Sequence, residues 1–260
     1  MKEPIKLIGN VASPYTRKMV AYLRYKRIPY EVIWSPAEDV LKKMNIEPPK
    51  PILLPVFILD RDGQATAVTD STPLIREFEE KYPDRSVLPK DPALNFINFI
   101  LEDFGDEWCT KFMFHYRWYF NEDADNAGTI LPLGINSVLT DDELSFFKEH
   151  FAKRQIDRLW VVGSNDDTAE FIDKSYKNVL SIFEEHFKKH PFLLGNFPSS
   201  CDFAVYGQFT QLVGFDPTPR RIAHEISPRT VAYVNTLDDR GGLDYVEENN
   251  TLDSLSDSIH

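Results

Sequence analysis

The sequence predicts a small α/β domain followed by an all-helical domain. Three observations carry that prediction. Short β-type runs and helical stripes alternate over about the first 83 residues, a stretch rich in Pro, Asp and Lys follows, and only helical spacings of three and four recur after it. The same pattern sets the expected boundaries: 1–83 for the α/β domain, 84–92 for a linker, 93–246 for the helical domain, and 247–260 for an acidic, serine-rich flexible tail.

Ile5 to Ile8 is a short apolar run ended by Gly9, and Pro14 to Arg27 then has helical spacing, with Met19, Val20 and Leu23 on one side. Pro29 stops that helix, and Tyr30 to Trp34 has the β-branched and aromatic content of a strand. A helical stretch from Ala37 to Ile46 ends before Pro48-Pro49-Lys50-Pro51. Pro55 to Asp60 and Ala65 to Thr69 follow as strands joined through Asp62-Gly63, a hairpin signal. Asp70-Ser71-Thr72-Pro73 combines capping side chains with an early proline and opens a helix whose stripe is Leu74, Ile75, Phe78 and Tyr82. Beyond the linker, stripes appear at Leu94, Ile97, Leu101, Phe104 and Trp108, at Leu144, Phe147 and Phe151, at Ile172, Tyr176, Val179, Phe183 and Phe187, and at Val231, Val234 and Leu237. Asn121 to Gly134 has few large apolar side chains and is expected to be a loop or lid.

With 42% apolar and 13% aromatic residues, the 260-residue chain has ample material for a packed core. Lys and Arg number 29 against 41 Asp and Glu, a formal charge of −12, and the basic residues are scattered. A phosphate backbone would be repelled, so nucleic acid is a poor partner. Cys109 and Cys201 are too few and too isolated for a disulfide framework or a cysteine metal cluster. The first ten residues lack a signal-peptide apolar core and no stretch reaches the ~18 apolar residues of a membrane span, so the expectation is a cytoplasmic protein with no membrane partner.

Three segments could carry chemistry, and each has a plainer reading. Ser13-Pro14-Tyr15-Thr16 is explained by an N-cap serine with proline at the first helical position, or it places free amides and the positive helix end where a thiolate would be stabilised. Pro55, between Leu54 and Val56, is either an ordinary strand-edge proline or a cis proline whose neighbours can pair with an extended peptide. Asp70-Ser71 is a helix cap, or a carboxylate and hydroxyl that together hold a zwitterionic amino-acid head.

Taken together, Ser-Pro-Tyr opening a helix, a strand–proline–strand junction, Asp-Ser opening another helix and an all-helical second half resemble the cytosolic glutathione transferases. Gly195-Asn196-Phe197-Pro198-Ser199-Ser200-Cys201-Asp202 is similar to that family's capping motif, so Ser199 and Asp202 are assigned a folding role. The resemblance implies a thioredoxin-like first domain and glutathione as co-substrate, without a metal. It also implies a homodimer and conjugation of the detoxification type. By the same resemblance Ser13 donates to the glutathione sulfur, with Tyr15 the competing hydroxyl. Leu54 and Val56, flanking a cis Pro55, pair with the cysteinyl backbone, and Asp70 and Ser71 hold the γ-glutamyl head. Two departures stand out: Ser13 and Thr16 replace the cysteines of glutaredoxin-like relatives, which disfavours thiol–disulfide exchange, and Asp70 is shorter than the commoner Glu or Gln.

Six aromatics within twelve residues, Trp108, Phe112, Phe114, Tyr116, Trp118 and Tyr119, cannot share one helix face. The family's geometry turns this helix toward the glutathione site. Tyr15, Trp108, Phe112, His115 and Tyr116 are therefore expected to line a pocket for an apolar or aromatic electrophile. His186 and His190 have i, i+4 spacing without further ligands, so no metal is expected. Two further readings stay open. Local likeness to glutathione-dependent β-etherases, in Ser-Pro-Tyr and in Asp70-Ser71 with Glu79 to Arg85, suggests aryl-ether cleavage, and a non-catalytic binding or scaffold role would use the fold alone.

Overall fold

A computed structural model describes residues 3–244. The expected tail at 247–260 lies outside the described residues. The chain begins with β1 (Ile5–Ile8), α1 (Pro14–Tyr25), β2 (Tyr30–Ile33), α2 (Ala37–Lys43), β3 (Val56–Arg61), β4 (Gln64–Val68) and α3 (Ser71–Lys81). The sheet order is β2-β1-β3-β4, with β1 parallel to β2 and antiparallel to β3, and β3 antiparallel to β4. Adjacent residues of a strand face opposite ways. Leu7 and Phe57, cross-strand partners, pack with Met19, Tyr22, Leu74 and Phe78 of α1 and α3, while Ile8 and Val56 pack with Ala37 and Leu41 of α2. Helices on both faces explain why β1 reads as a continuous apolar run rather than an alternating one.

Helices then take over: α4 (Pro92–Asp103), a π-helical turn (Phe104–Trp108), α5 (Cys109–Tyr119), α6 (Asn121–Ile135), α7 (Asp141–Ile156), a 3₁₀ turn (Leu159–Val162), α8 (Ala169–His186), α9 (Ser200–Thr210), a second π-helical turn (Gln211–Phe215), α10 (Pro217–Ile226) and α11 (Pro228–Leu237). Helix α9 is the axis of this half, buried from Ser200 to Phe209. The Ser199/Asp202 capping box starts it. Asp202 Oδ2 accepts from Ser199 N at 2.8 Å and Oδ1 accepts from Leu193 N and the Tyr233 hydroxyl, both at 2.9 Å. Burial pushes that carboxyl up to about 6, against the pull of these donors.

One expectation fails here. Asn121 to Gly134 is neither loop nor lid but α6, a helix that packs through small residues. Ala124 and Ala127 are buried, and a Cβ on Gly128 would lie 3.0 Å from Lys148 Cγ of α7. Close approach of two helices needs no large apolar stripe, so the periodicity that marks other helices is weak here.

Candidate functional site

Two elements of the helical half meet the loop between β1 and α1. Gly9 presses on Thr16, where a Cβ would stand 2.5 Å from Cγ2, so the loop runs tightly over the first turn of α1. Asn10 Oδ1 accepts from Ala12 N at 2.9 Å, and Asn10 O accepts from Ser13 N at 3.0 Å. Ser13 is the N-cap of α1, with Pro14 following, and its Oγ accepts from Thr16 N at 3.2 Å. A serine hydroxyl that accepts from an amide keeps its proton to donate, and this one stands at the positive end of a helix.

Arg117 of α5 holds the same loop from the other side. Its Nη1 donates to Ala12 O at 3.1 Å, Nη2 donates to Gln211 Oε1 at 2.8 Å, and Nε and Nη2 grip both Asp216 oxygens at 2.9 to 3.1 Å. Gln211 Nε2 donates to Val11 O at 3.3 Å. The carbonyls of the two residues before Ser13 are thus fixed by one buried network. Burial pushes Asp216 up to about 6 while Arg117 draws it down, and a bidentate pair of this kind is costly to break because it leaves a buried charge alone.

The Leu54–Pro55 peptide is cis, as is Lys50–Pro51, and Val56 begins β3 opposite Ile8. Asp70 precedes α3 at φ +79°, in the left-handed region that a non-glycine residue enters at a cost of ~1–3 kcal/mol, and its side chain makes no capping bond. The cap explanation for Asp70 therefore does not hold. Ser71, the first residue of α3, is buried beside it.

These residues line a cavity of about 830 Å³ between the two halves, formed by Ser13, Tyr15 and Leu54, by Asp70 and Ser71, and by Glu102, Asp103, Asp106 and Glu107 from α4 and the π turn. A second cavity of about 360 Å³ adjoins it, walled by Met113, Phe114 and Trp118 of α5, by Leu131 and Ile135 of α6, and by Phe147 and Phe151 of α7. Four residues line both: Ser13, Leu54, Phe114 and Gln155.

The first cavity is acidic with a buried cation beneath it. Lys18 Nζ lies 2.6 Å from Asp106 Oδ2, 3.4 Å from Glu102 Oε1 and 3.2 Å from Thr72 Oγ1. Burial raises Asp106 against the pull of Lys18; at Glu102 burial also pushes upward, but Lys18, Arg76 and Ser200 outweigh it and hold the carboxyl low. Tyr15 is committed elsewhere: its hydroxyl donates to Asp106 O at 2.8 Å, lies 3.0 Å from Thr110 Oγ1, and is pushed up to about 12 by burial.

Of the residues expected to line the electrophile pocket, Tyr15 borders the larger of these two cavities, and Trp108, Phe112, His115 and Tyr116 border neither. Trp108 is 53% exposed, with Lys111 Nζ 5.8 Å from its ring. Phe112 is in the core against Tyr176, the Tyr116 hydroxyl donates to Asp173 Oδ1 at 2.7 Å, and the buried His115 pairs with Ser164 Oγ at 2.7 Å. The cause is helix phase. A π-helical turn takes an extra residue, so everything after Phe104 is rotated by about 100° relative to an unbroken α-helix. Cys109 takes the inward position that the spacing assigns to Trp108, and the cavity face of α5 becomes Met113, Phe114, Arg117 and Trp118. Arg117, Gln155, Phe147 and Phe151 were not singled out as site residues. A lone arginine among aromatics was the one available signal for Arg117, and its partner Asp216 is 99 positions away.

His186 Nε2 lies 3.0 Å from Phe192 O, and among the described residues no group of three or more His, Cys, Asp or Glu side chains is placed to hold a metal. Cys109 and Cys201 are buried free thiols, both pushed well up by burial.

Residues 7–86 match the N-terminal domain model of the glutathione S-transferases and residues 146–240 match the C-terminal domain model. With the sheet-plus-helices architecture, these matches place the chain in the glutathione S-transferase family. Among solved structures it is similar to the β-etherase LigF from Sphingobium sp. strain SYK-6, at 19% identity and TM-score 0.60 over 92% of this chain and 96% of that one. It is also similar to a glutathione S-transferase from Rhodospirillum rubrum F11, at 17% and 0.53 over 94% of each, and to a family member from Pseudomonas fluorescens Pf-5 with two glutathione bound, at 14% and 0.55 over 92% of each. At these identities the likeness is one of fold. No curated protein matches the chain.

Proposed function

We propose that this member of the family binds glutathione in the acidic cavity and catalyses attack of its sulfur on an apolar or aromatic electrophile held in the adjoining one. The observation that carries the reading is the place of Ser13, lining both cavities, at the N-terminus of α1, with a hydroxyl proton left to give. When bound, glutathione supplies the sulfur nucleophile. The Ser13 hydroxyl and the positive end of α1 favour thiolate over thiol, which raises the reactive fraction at neutral pH. Tyr15 fits that role poorly, because its proton is already donated within the protein.

The tripeptide fits the polar wall. Asp70, whose side chain makes no capping hydrogen bond, and the acidic rim from Glu102 to Glu107 suit an ammonium. Ser71 at the start of α3 suits the neighbouring carboxylate. Leu54 and Val56 around cis Pro55 suit an extended backbone. Phe96, Phe99 and Ile100 are exposed at helical spacing on α4, an apolar stripe beside the acidic cavity that supports a homodimer. Activity of this kind belongs in the cytoplasm, where reduced glutathione is held. Aryl-ether cleavage is the second reading, supported by the aromatic walls of the 360 Å³ cavity.

The deciding experiment is a calorimetric titration with reduced glutathione at neutral pH, followed by turnover of chlorodinitrobenzene and of a fluorogenic aryl ether. Saturable binding is expected, lost in Asp70→Ala and retained in Ser13→Ala, with turnover in the latter lower by ~10–10³-fold. Absence of binding at millimolar glutathione would reject both reactions and leave a scaffold role; unchanged turnover in Ser13→Ala would remove Ser13 from the chemistry.

A further inference from the structure

We infer that Gln155 of α7 is a specificity-determining residue, which donates a hydrogen bond to an oxygen conjugated with the carbon under attack and so selects electrophiles that carry one. The inference rests on the proposed function. Bond formation takes place where the two cavities meet, and four side chains line both. Ser13 is assigned to the sulfur, and the side chains of Leu54 and Phe114 have no polar atom. Gln155 is the polar group that remains at the seam.

The other polar side chains of the apolar cavity are occupied or set back. Arg117 spends its guanidinium on Asp216, Gln211 and Ala12 O. Asn10 Oδ1 accepts from Ala12 N, and Asn10 lines only the smaller of the two cavities. The Gln155 side chain is half-buried and makes no hydrogen bond with a described residue, on a helix that has no fully buried residue at all. A free amide on an otherwise apolar wall of Phe147 and Phe151 costs little while water reaches it. Once an aromatic ligand displaces that water, it favours a ligand that offers an acceptor.

The chemistry that uses such a donor is addition to an enone. The sulfur lone pair forms the S–C bond at the β-carbon, the C=C pair moves to the α-carbon, and charge passes to the carbonyl oxygen. The Gln155 amide donates to that oxygen as it becomes an enolate, and a proton from water then neutralises the α-carbon. Donors aimed at developing charge act most strongly in a site that excludes water.

The test compares benzylideneacetone, an aryl enone, with benzyl chloride, which carries no oxygen, in wild type, Gln155→Leu and Gln155→Glu. Both variants should lower kcat/KM for benzylideneacetone by roughly tenfold or more and leave benzyl chloride within about threefold. A second readout is calorimetric binding of product: the glutathione conjugate of benzylideneacetone, which keeps the ketone, should lose affinity in both variants, while S-benzylglutathione should not. Equal losses for the two electrophiles, or no loss for either, would overturn the inference and make Gln155 a shape-filling wall residue. A wild type that binds neither glutathione nor the two conjugates would instead overturn the proposed function, and this inference with it.

Discussion

Replacing Gly207 by alanine tests whether the close seat of α1 on α9 sets the position of Ser13. A Cβ at 207 would stand 2.5 Å from Pro14 O and 3.0 Å from Lys18 Cβ. Neither neighbour is a flexible tip: one is backbone, and the other carries the buried Lys18 that pairs with Asp106 and Glu102. Ordinary contact begins near 3.4 Å, so the two helices must part by about 0.9 Å at this point. Two effects of opposite sign compete. Alanine gains up to ~1 kcal/mol of helix propensity over glycine, whereas overpacking of a well-filled contact costs ~1–3 kcal/mol. A net loss of about 1–2 kcal/mol is expected from urea unfolding. Pro14 is the residue after Ser13, so the same displacement moves the hydroxyl, and a misplacement near 1 Å costs on the order of 10²-fold in turnover. Gly214→Ala is the internal control, because a Cβ there meets nothing within 4 Å, and it should leave both quantities nearly unchanged. A Gly207→Ala protein that is stabilised and turns over normally would refute the reasoning.

Two further predictions rest on other parts of the molecule. His115 is buried and held by burial at about 4, below its ordinary 6.5; below pH 6.5 the unfolded chain gains a proton that the folded protein refuses, so stability is lost as pH falls from 6.5 toward 4. At ~1.4 kcal/mol per pH unit for one proton, lowering the pH from 7 to 5 should reduce the stability of wild type by about 1–2 kcal/mol more than that of His115→Gln, and equal pH dependence in the two would show that His115 titrates freely. If α4 forms a dimer contact, sedimentation should show a dimer that Phe96→Glu with Ile100→Glu converts to a folded monomer; a monomeric wild type at micromolar concentration would end that proposal.

The elements around the sheet were legible because each carries its own local punctuation. Pro14, Pro29, Asp62-Gly63 and Asp70-Ser71 mark boundaries that the structure places within a residue or two, and capping and turn chemistry acts over a few residues. Helix α6 was not legible, because its packing depends on Ala124, Ala127 and Gly128 meeting α7, and small residues leave no stripe. The same limit hid Arg117 and Asp216, whose meaning is a contact between residues 99 positions apart.

Helix phase is the deeper reason that Phe112, His115 and Tyr116 lie away from both cavities although the helix that carries them was legible. The aromatics of α5 divide as their number requires, but which set faces the cavity depends on the π turn at Phe104–Trp108, a single extra residue that no side-chain type announces. That turn places Asp106 over Lys18, and Gly105 makes room for it, since a Cβ there would lie 2.7 Å from Val205 N. The irregular turn therefore adds Asp106 and Glu107 to the acidic rim that Glu102 and Asp103 of α4 begin at the larger cavity, and rotates Met113, Phe114, Arg117 and Trp118 to the smaller one. Irregular turns of this kind occur often at functional sites, and here the polar and apolar cavities are adjacent because the same turn serves both.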